Sequence, residues 1–203
     1  MSKLTKYKGK LMNPKMAAQL ERDALVTRLG AVLEDIFGFE VWDDSANETA
    51  DRWLRAMQEF SPEPEIDFKF TTFEAKVNQM IYCGKIEFSS ICAHHLFPFY
   101  GHVHIAYIPN QLQVGLSKMP RLVKHFANRP QTQETMTAQI ASYLKKALAA
   151  QGVAVVVEGY HTCMSSRGVR EHNGVMVTSE MRGTFLTASE ARQEFLAIMS
   201  KEK

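Results

Sequence analysis

Apolar side chains recur at helical spacing through Leu25, Val26, Leu29, Val32, Leu33, Ile36 and Phe37, behind an Asn13-Pro14 pair that has the form of a helix cap with proline in the first turn. Gly38 is placed to close that helix. A second helix is expected to carry Trp53, Leu54, Met57 and Phe60 on one face until Ser61-Pro62-Glu63-Pro64 interrupts it. Alternation then takes over. Met80, Tyr82, Gly84, Ile86 and Phe88 predict one strand, and the run from Phe99 to Tyr107 through Val103 and Ile105 predicts another. Past the turn at Pro109-Asn110-Gln111, Ser117 is positioned to cap a helix bearing Met119, Leu122, Val123 and Phe126. After Arg129-Pro130, Met136, Ile140, Leu144 and Leu148 form a narrow stripe suited to lie on a sheet, with Gly152 as the expected stop. Val153 to Val157 reads as a buried strand, and a further strand should run from Val175 into the Thr184-Phe185 region. Thr187-Ala188-Ser189-Glu190 has the form of a capping box opening a last helix with Phe195, Leu196 and Met199. Helices set between antiparallel strands, without strict βαβ alternation, predict the α+β class.

Composition narrows this picture without redirecting it. At 203 residues and 45% hydrophobic content, the chain can bury a real core, and one domain with an appended segment is expected. The Pro-containing stretch is the best boundary, giving an N-terminal helical segment over 1–64 and a main domain over 65–203. A formal charge of +2, from 24 basic and 22 acidic residues spread along the chain, argues against a nucleic-acid or membrane-surface partner. The basic start has no apolar stretch behind it and no run of eighteen apolar residues occurs, so neither export nor membrane insertion is indicated. Three cysteines make no disulfide framework, which favours a reducing cytoplasmic setting with thiols available for metal; Cys83 reads as a plain thiol within a strand.

The chemistry concentrates in Cys92-Ala93-His94-His95 and, about seventy residues later, His161-Thr162-Cys163. Cys92 and His95 have a spacing that a loop can bring to one ion, and Cys163 would add a third ligand. Two thiolates and one imidazole leave a tetrahedral position open, as in a working Zn²⁺ site; the plainer reading is of buried thiols beside satisfied histidines. His94 and His161 then remain as imidazoles able to move protons near neutrality. No fourth cysteine closes a zinc finger, and the His-x-Glu with Pro-Cys-x-x-Cys pattern of the zinc deaminases is missing. His102, His104, His125 and His172 read as surface or sheet residues.

Ser90-Ile91-Cys92-Ala93-His94-His95, Pro98-Phe99-Tyr100-Gly101, Gly115-Leu116-Ser117-Lys118, Arg129-Pro130-Gln131-Thr132-Gln133-Glu134 and His161-Thr162-Cys163-Met164 with Arg167-Gly168-Val169 follow the order and spacing of one family. The chain closely resembles GTP cyclohydrolase I over most of the region after Pro64. The resemblance implies a tunnelling fold (T-fold), a ring assembly stacked into a homodecamer, and active sites between subunits. It implies Zn²⁺ on Cys92, His95 and Cys163, with His94 and His161 as the proton-transfer pair and Ser117 assisting. Lys118, Arg121 and Arg167 would meet the triphosphate of GTP, Glu134 would accept from the N1-H and exocyclic amine of guanine, and Gln133 would complete that recognition through its amide.

The implied reaction opens the imidazole portion of GTP by hydrolysis, releases formate, and closes the rearranged ribose on the freed amines as 7,8-dihydroneopterin triphosphate. One departure bears on it: Ala93 stands where the family usually has glutamate. Loss of that carboxylate makes dGTP a candidate substrate beside GTP. The alternatives are a variant that prefers dGTP or feeds a deazaguanine pathway, and a non-catalytic zinc-braced scaffold that binds nucleotide.

Overall fold

The valine run explains the architecture. In the computed structural model, which describes residues 5–8, 10–38, 48–61, 66 and 68–201, Val153, Val155 and Val157 enter one hydrophobic cluster while Ala154 and Val156 enter another. Side chains on a strand alternate between faces, so a strand that is apolar at every position must be covered on both.

Two compact units divide the chain, Met1–Glu59 and Phe60–Lys203. The boundary expected at Pro64 lies outside the described residues. The first unit holds a hairpin of β1 (Thr5–Tyr7) and β2 (Lys10–Met12), then α1 (Pro14–Phe37) and α2 (Thr49–Gln58). The Asn13 side chain accepts a hydrogen bond from the Lys15 N–H, and Gly38 takes φ 77° at the other end, so the expected cap and stop of α1 both occur. An ion pair between Arg22 and Asp51 ties α1 to α2, and Arg55 reaches the same carboxylate at 3.1 Å.

The second unit begins with β3 (Thr72–Glu74), β4 (Ile81–Cys92), β5 (Pro98–Ile108) and β6 (Leu112–Val114). There follow α3 (Lys118–Ala127), β7 (Pro130–Gln131), α4 (Gln133–Ala147), β8 (Gly152–His161), α5 (Thr162–Ser165), β9 (Met176–Gly183), α6 (Thr184–Thr187) and α7 (Ser189–Ser200). The main sheet has the order β7-β4-β5-β8-β9 and is antiparallel except for the β4–β7 pair, while β3 and β6 form a separate antiparallel pair. Met119, Leu122 and Val123 of α3 and Met136, Ile140 and Leu144 of α4 cover one face. Phe185 of α6 and Phe195 of α7 cover the other. At about 1.5–3 kcal/mol for each large apolar side chain removed from water, these stripes hold the helices on the sheet far more strongly than intrinsic helix propensity could.

Four local expectations fail. Met80 and Tyr82 do not share a face with Ile86 and Phe88: the register of β4 on β5 shifts between Cys83 and Ile86, where Lys85 has φ 49°. Gly84 and Lys85 together oppose the single residue His104, a β-bulge that inverts the phase. Ile81 and Cys83 therefore pack with the α3–α4 cluster before the bulge, and Ile86, Phe88 and Cys92 after it. Ser117 occupies the cap position of α3 but makes no side-chain cap bond, and the last helix starts after Ala188, with Thr187 already spent in α6. Gly152 opens β8 and does not terminate α4, which ends at Ala147. A Cβ at Gly152 would meet Phe185 at 3.0 Å, so the close approach of α6 explains its small residue.

Candidate metal and proton-transfer site

Strand ends and the first turn of α4 build the site. Cys92 closes β4, and the chain reverses at once: the Cys92 N–H donates to the Phe97 carbonyl at 2.8 Å, and the Leu96 N–H donates to the Cys92 carbonyl at 2.8 Å. Leu96 takes φ 56° to complete this tight turn, which carries the exposed His94 and His95. The Ala93 N–H donates to the Gln131 carbonyl at 3.0 Å, fixing the turn to the segment that leads into α4. On the neighbouring strands Phe99 pairs with His161, and their rings stack with centroids 4.6 Å apart and planes 7° apart. Directly after His161 the chain turns into α5, where the Thr162 hydroxyl donates to the Pro98 carbonyl at 2.6 Å and Cys163 follows.

One ligand atom each from Cys92, His95 and Cys163 lies within 4.8 Å of the others. Ligands held about 2.0–2.3 Å from a tetrahedral ion stand roughly 3.5 Å apart, so small side-chain movements would close all three on one centre. Two soft sulfurs and an imidazole suit Zn²⁺ better than a hard oxygen-seeking cation, and three protein donors leave a fourth position open. The Cys92 sulfur also lies 3.7 Å from His94 Nδ1. Burial pushes the Cys163 thiol above its ordinary range and the adjacent Cys92 adds to this, while the charge of Arg167 pulls it back. A divalent ion would supply much more of that missing positive charge.

A cavity of about 510 Å³ opens over this cluster, lined among others by Cys92, His94, His95, Gln133, Glu134 and His161. Burial lowers the basicity of His161, with Glu134 acting in the opposite direction and His94 in the same direction. Glu134 is exposed in the first turn of α4. Ser117, Lys118 and Arg121 sit together at the start of α3 and are not among the residues lining the cavity; Arg167 is exposed just beyond α5.

Gln133 departs from expectation. It is 1% exposed, and its side-chain NH₂ donates to the Val157 and Met176 carbonyls, each at 3.0 Å, and to the Thr178 hydroxyl at 3.1 Å. Its Oε1 faces His161 Nε2 at 3.0 Å. The amide is thus engaged inside the protein, where α4 approaches the sheet closely and Gly159 leaves room, while the residue still borders the cavity. The sequence reading also missed Thr132, Met164, Glu171 and Gly174 in the cavity wall. Thr132 had a local signal: its side chain accepts from the Thr135 N–H at 3.3 Å as the cap of α4. Gly174 had none, since its close neighbour Met164, 2.5 Å from a Cβ built there, is brought in only by folding.

The family model of GTP cyclohydrolase I matches residues 29–200. This chain belongs to that family. It is 44% identical over 156 residues to GTP cyclohydrolase 1 of Aquifex aeolicus, an alignment covering 77% of this chain and 85% of the relative. To the protein of the same name from a Hydrogenobaculum species it is 39% identical over 180 residues, covering 89% and 98%. A further relative, GTP cyclohydrolase 1 of Campylobacter lari, shares 44% identity over 144 residues, covering 71% and 76%. Among solved structures, the archaeosine synthase QueF-Like in its apo form has a TM-score of 0.43 at 16% identity, over 53% of this chain and 97% of that one. The α+β architecture, with its antiparallel sheet and packed helices, is the tunnelling fold expected of a GTP cyclohydrolase I family member. No described helix is long and apolar enough to cross a membrane.

Proposed function

We propose that this chain is a zinc-dependent GTP cyclohydrolase I, converting GTP and water to 7,8-dihydroneopterin triphosphate and formate. The observation that carries the reading is the convergence of Cys92, His95 and Cys163 beneath a cavity that also holds His94, His161 and Glu134. Bound there, Zn²⁺ would supply Lewis-acid activation of water for hydrolysis of the imidazole portion of guanine. The chain's own groups do the rest. The Glu134 carboxylate accepts the N1-H and exocyclic amine of guanine, a pair of donors that adenine does not present together. His94 and His161 hold and return protons as the purine ring opens, formate leaves and the ribose carbons close on the freed amines. The stacked Phe99 ring fixes the plane in which His161 works. Lys118, Arg121 and Arg167 neutralise the triphosphate, with Ser117 beside them.

Because Ser117, Lys118 and Arg121 stand apart from the cavity lining, the proposal includes a homo-oligomer, a decamer by family resemblance, in which a neighbouring copy completes the site. The exposed stacked pair Tyr100 and Tyr160, and exposed Val175 and Val177 at and beside the edge strand β9, support burial against another copy. A fluorescence assay for oxidised neopterin, run with formate detection and metal analysis, tests the function. His94→Ala should retain zinc and lose turnover, and Cys163→Ala should lose both; a wild-type protein that releases no formate from GTP or dGTP would leave the scaffold reading in place.

A further inference from the structure

We infer that Gln133 is a positioning residue that fixes which ring nitrogen of His161 carries the proton, through the hydrogen bond between its side-chain oxygen and His161 Nε2. The inference rests on His161 being a proton-transfer group of the proposed reaction, and it assigns Gln133 to the histidine and not to the substrate.

The direction of every bond in the network can be worked out. The Val157 and Met176 main-chain oxygens can only accept, so the side-chain nitrogen of Gln133, 3.0 Å from each, must face them. Turning the amide over would set Oε1 against two carbonyl oxygens. With the nitrogen so committed, the group 3.0 Å from His161 is the amide oxygen, and an oxygen without hydrogen requires a donor opposite it. His161 Nε2 therefore carries hydrogen. A neutral imidazole has one N–H, which leaves the lone pair on Nδ1 and makes Nδ1 the proton-accepting atom.

The surrounding hydroxyls agree with this polarity. Thr137 Oγ1 lies 2.7 Å from the Gln133 main-chain oxygen, to which it must donate, so at the 2.7 Å contact between Thr137 and Thr178 the Thr178 hydroxyl is the donor. Thr178 Oγ1 is then free to accept from Gln133 Nε2 at 3.1 Å. The chain of bonds runs one way from end to end, the two hydrogens of Gln133 Nε2 being shared among its three acceptors. It is anchored on β8, β9 and α4, so the oxygen that reads His161 cannot swing without disrupting several buried bonds. Gly159 gives the space: a Cβ there would fall 2.2 Å from Gln133 Oε1.

The test is nuclear magnetic resonance of the zinc-loaded wild-type protein with histidines isotopically labelled at both ring nitrogens, at a pH where the ring is neutral. His161 signals are identified by their disappearance in His161→Asn. Directly bonded hydrogen on Nε2, with Nδ1 bare, is the expected result; hydrogen on Nδ1 overturns the inference whether or not the protein turns over GTP. A second readout separates positioning from substrate contact. Gln133→Leu should lower kcat about tenfold to a hundredfold while KM and zinc content stay within about twofold, as befits a disturbed general acid–base group. A rise in KM with kcat unchanged would make Gln133 a substrate ligand and overturn the proposal. The wild-type measurement stands even if the variant fails to fold.

Discussion

Gly159→Ala is a one-methyl perturbation whose consequences can be worked through in numbers. Gly159 pairs with Gly101 across β8 and β5, and nothing in its backbone angles excludes alanine. The obstacle is steric: the new Cβ would stand 2.2 Å from Gln133 Oε1 and 3.1 Å from its Cδ. Reaching ordinary contact requires the amide to retreat by about 1 Å, which would stretch its bonds at 3.0–3.1 Å to Val157, Met176, Thr178 and His161 beyond useful length. Buried hydrogen bonds contribute about 1 kcal/mol each, and forcing an extra methyl into a packed site costs about 1–3 kcal/mol. The stiffer unfolded chain gives back about 0.4–1 kcal/mol. Over the four bonds together a net loss of about 4–7 kcal/mol follows, or a fall in melting temperature of roughly 8–28 °C for a chain of this size. The assay is calorimetry or denaturant unfolding in a double-mutant cycle with Gln133→Ala. Once the amide is gone the methyl has room, so Gly159→Ala should then cost less than about 1 kcal/mol. Equal costs in the two backgrounds, to within about 0.5 kcal/mol, would refute the argument that the glycine exists to admit Gln133.

Two further outcomes are expected. Thr132→Ala removes the side-chain oxygen that accepts the Thr135 N–H and should destabilise the protein by about 1 kcal/mol in the same unfolding experiment; no change would mean that solvent caps α4 equally well. Ala93→Glu places the carboxylate usual in the family at the exposed position between Cys92 and His94, and should raise the ratio of kcat/KM for GTP over dGTP relative to the wild-type protein, measured by steady-state formate release; an unchanged ratio would remove Ala93 from any role in sugar preference.

Much of the architecture was legible in the chain because it is written in local periodicity. The stripe Met136, Ile140, Leu144 lies on the sheet as its four-residue spacing requires, and the unbroken apolar run at Val153–Val157 is a central strand covered on both faces. The donor types were legible too, since two thiols and an imidazole are candidate ligands for a soft metal, and Cys92, His95 and Cys163 do converge. Tertiary structure alone decided how these parts face one another. Strand alternation assigns faces only within an uninterrupted run, and the bulge at Gly84–Lys85 resets it, so that Cys92 emerges on the α3–α4 side with Phe88. Gln133, a good helix former that reads as an exposed residue at the start of α4, is instead buried by partners 24 to 45 positions further along the chain. A hydrogen-bond network among residues so far apart has no period in the sequence. It exists only once packing has removed water from the groups and left them only one another as partners.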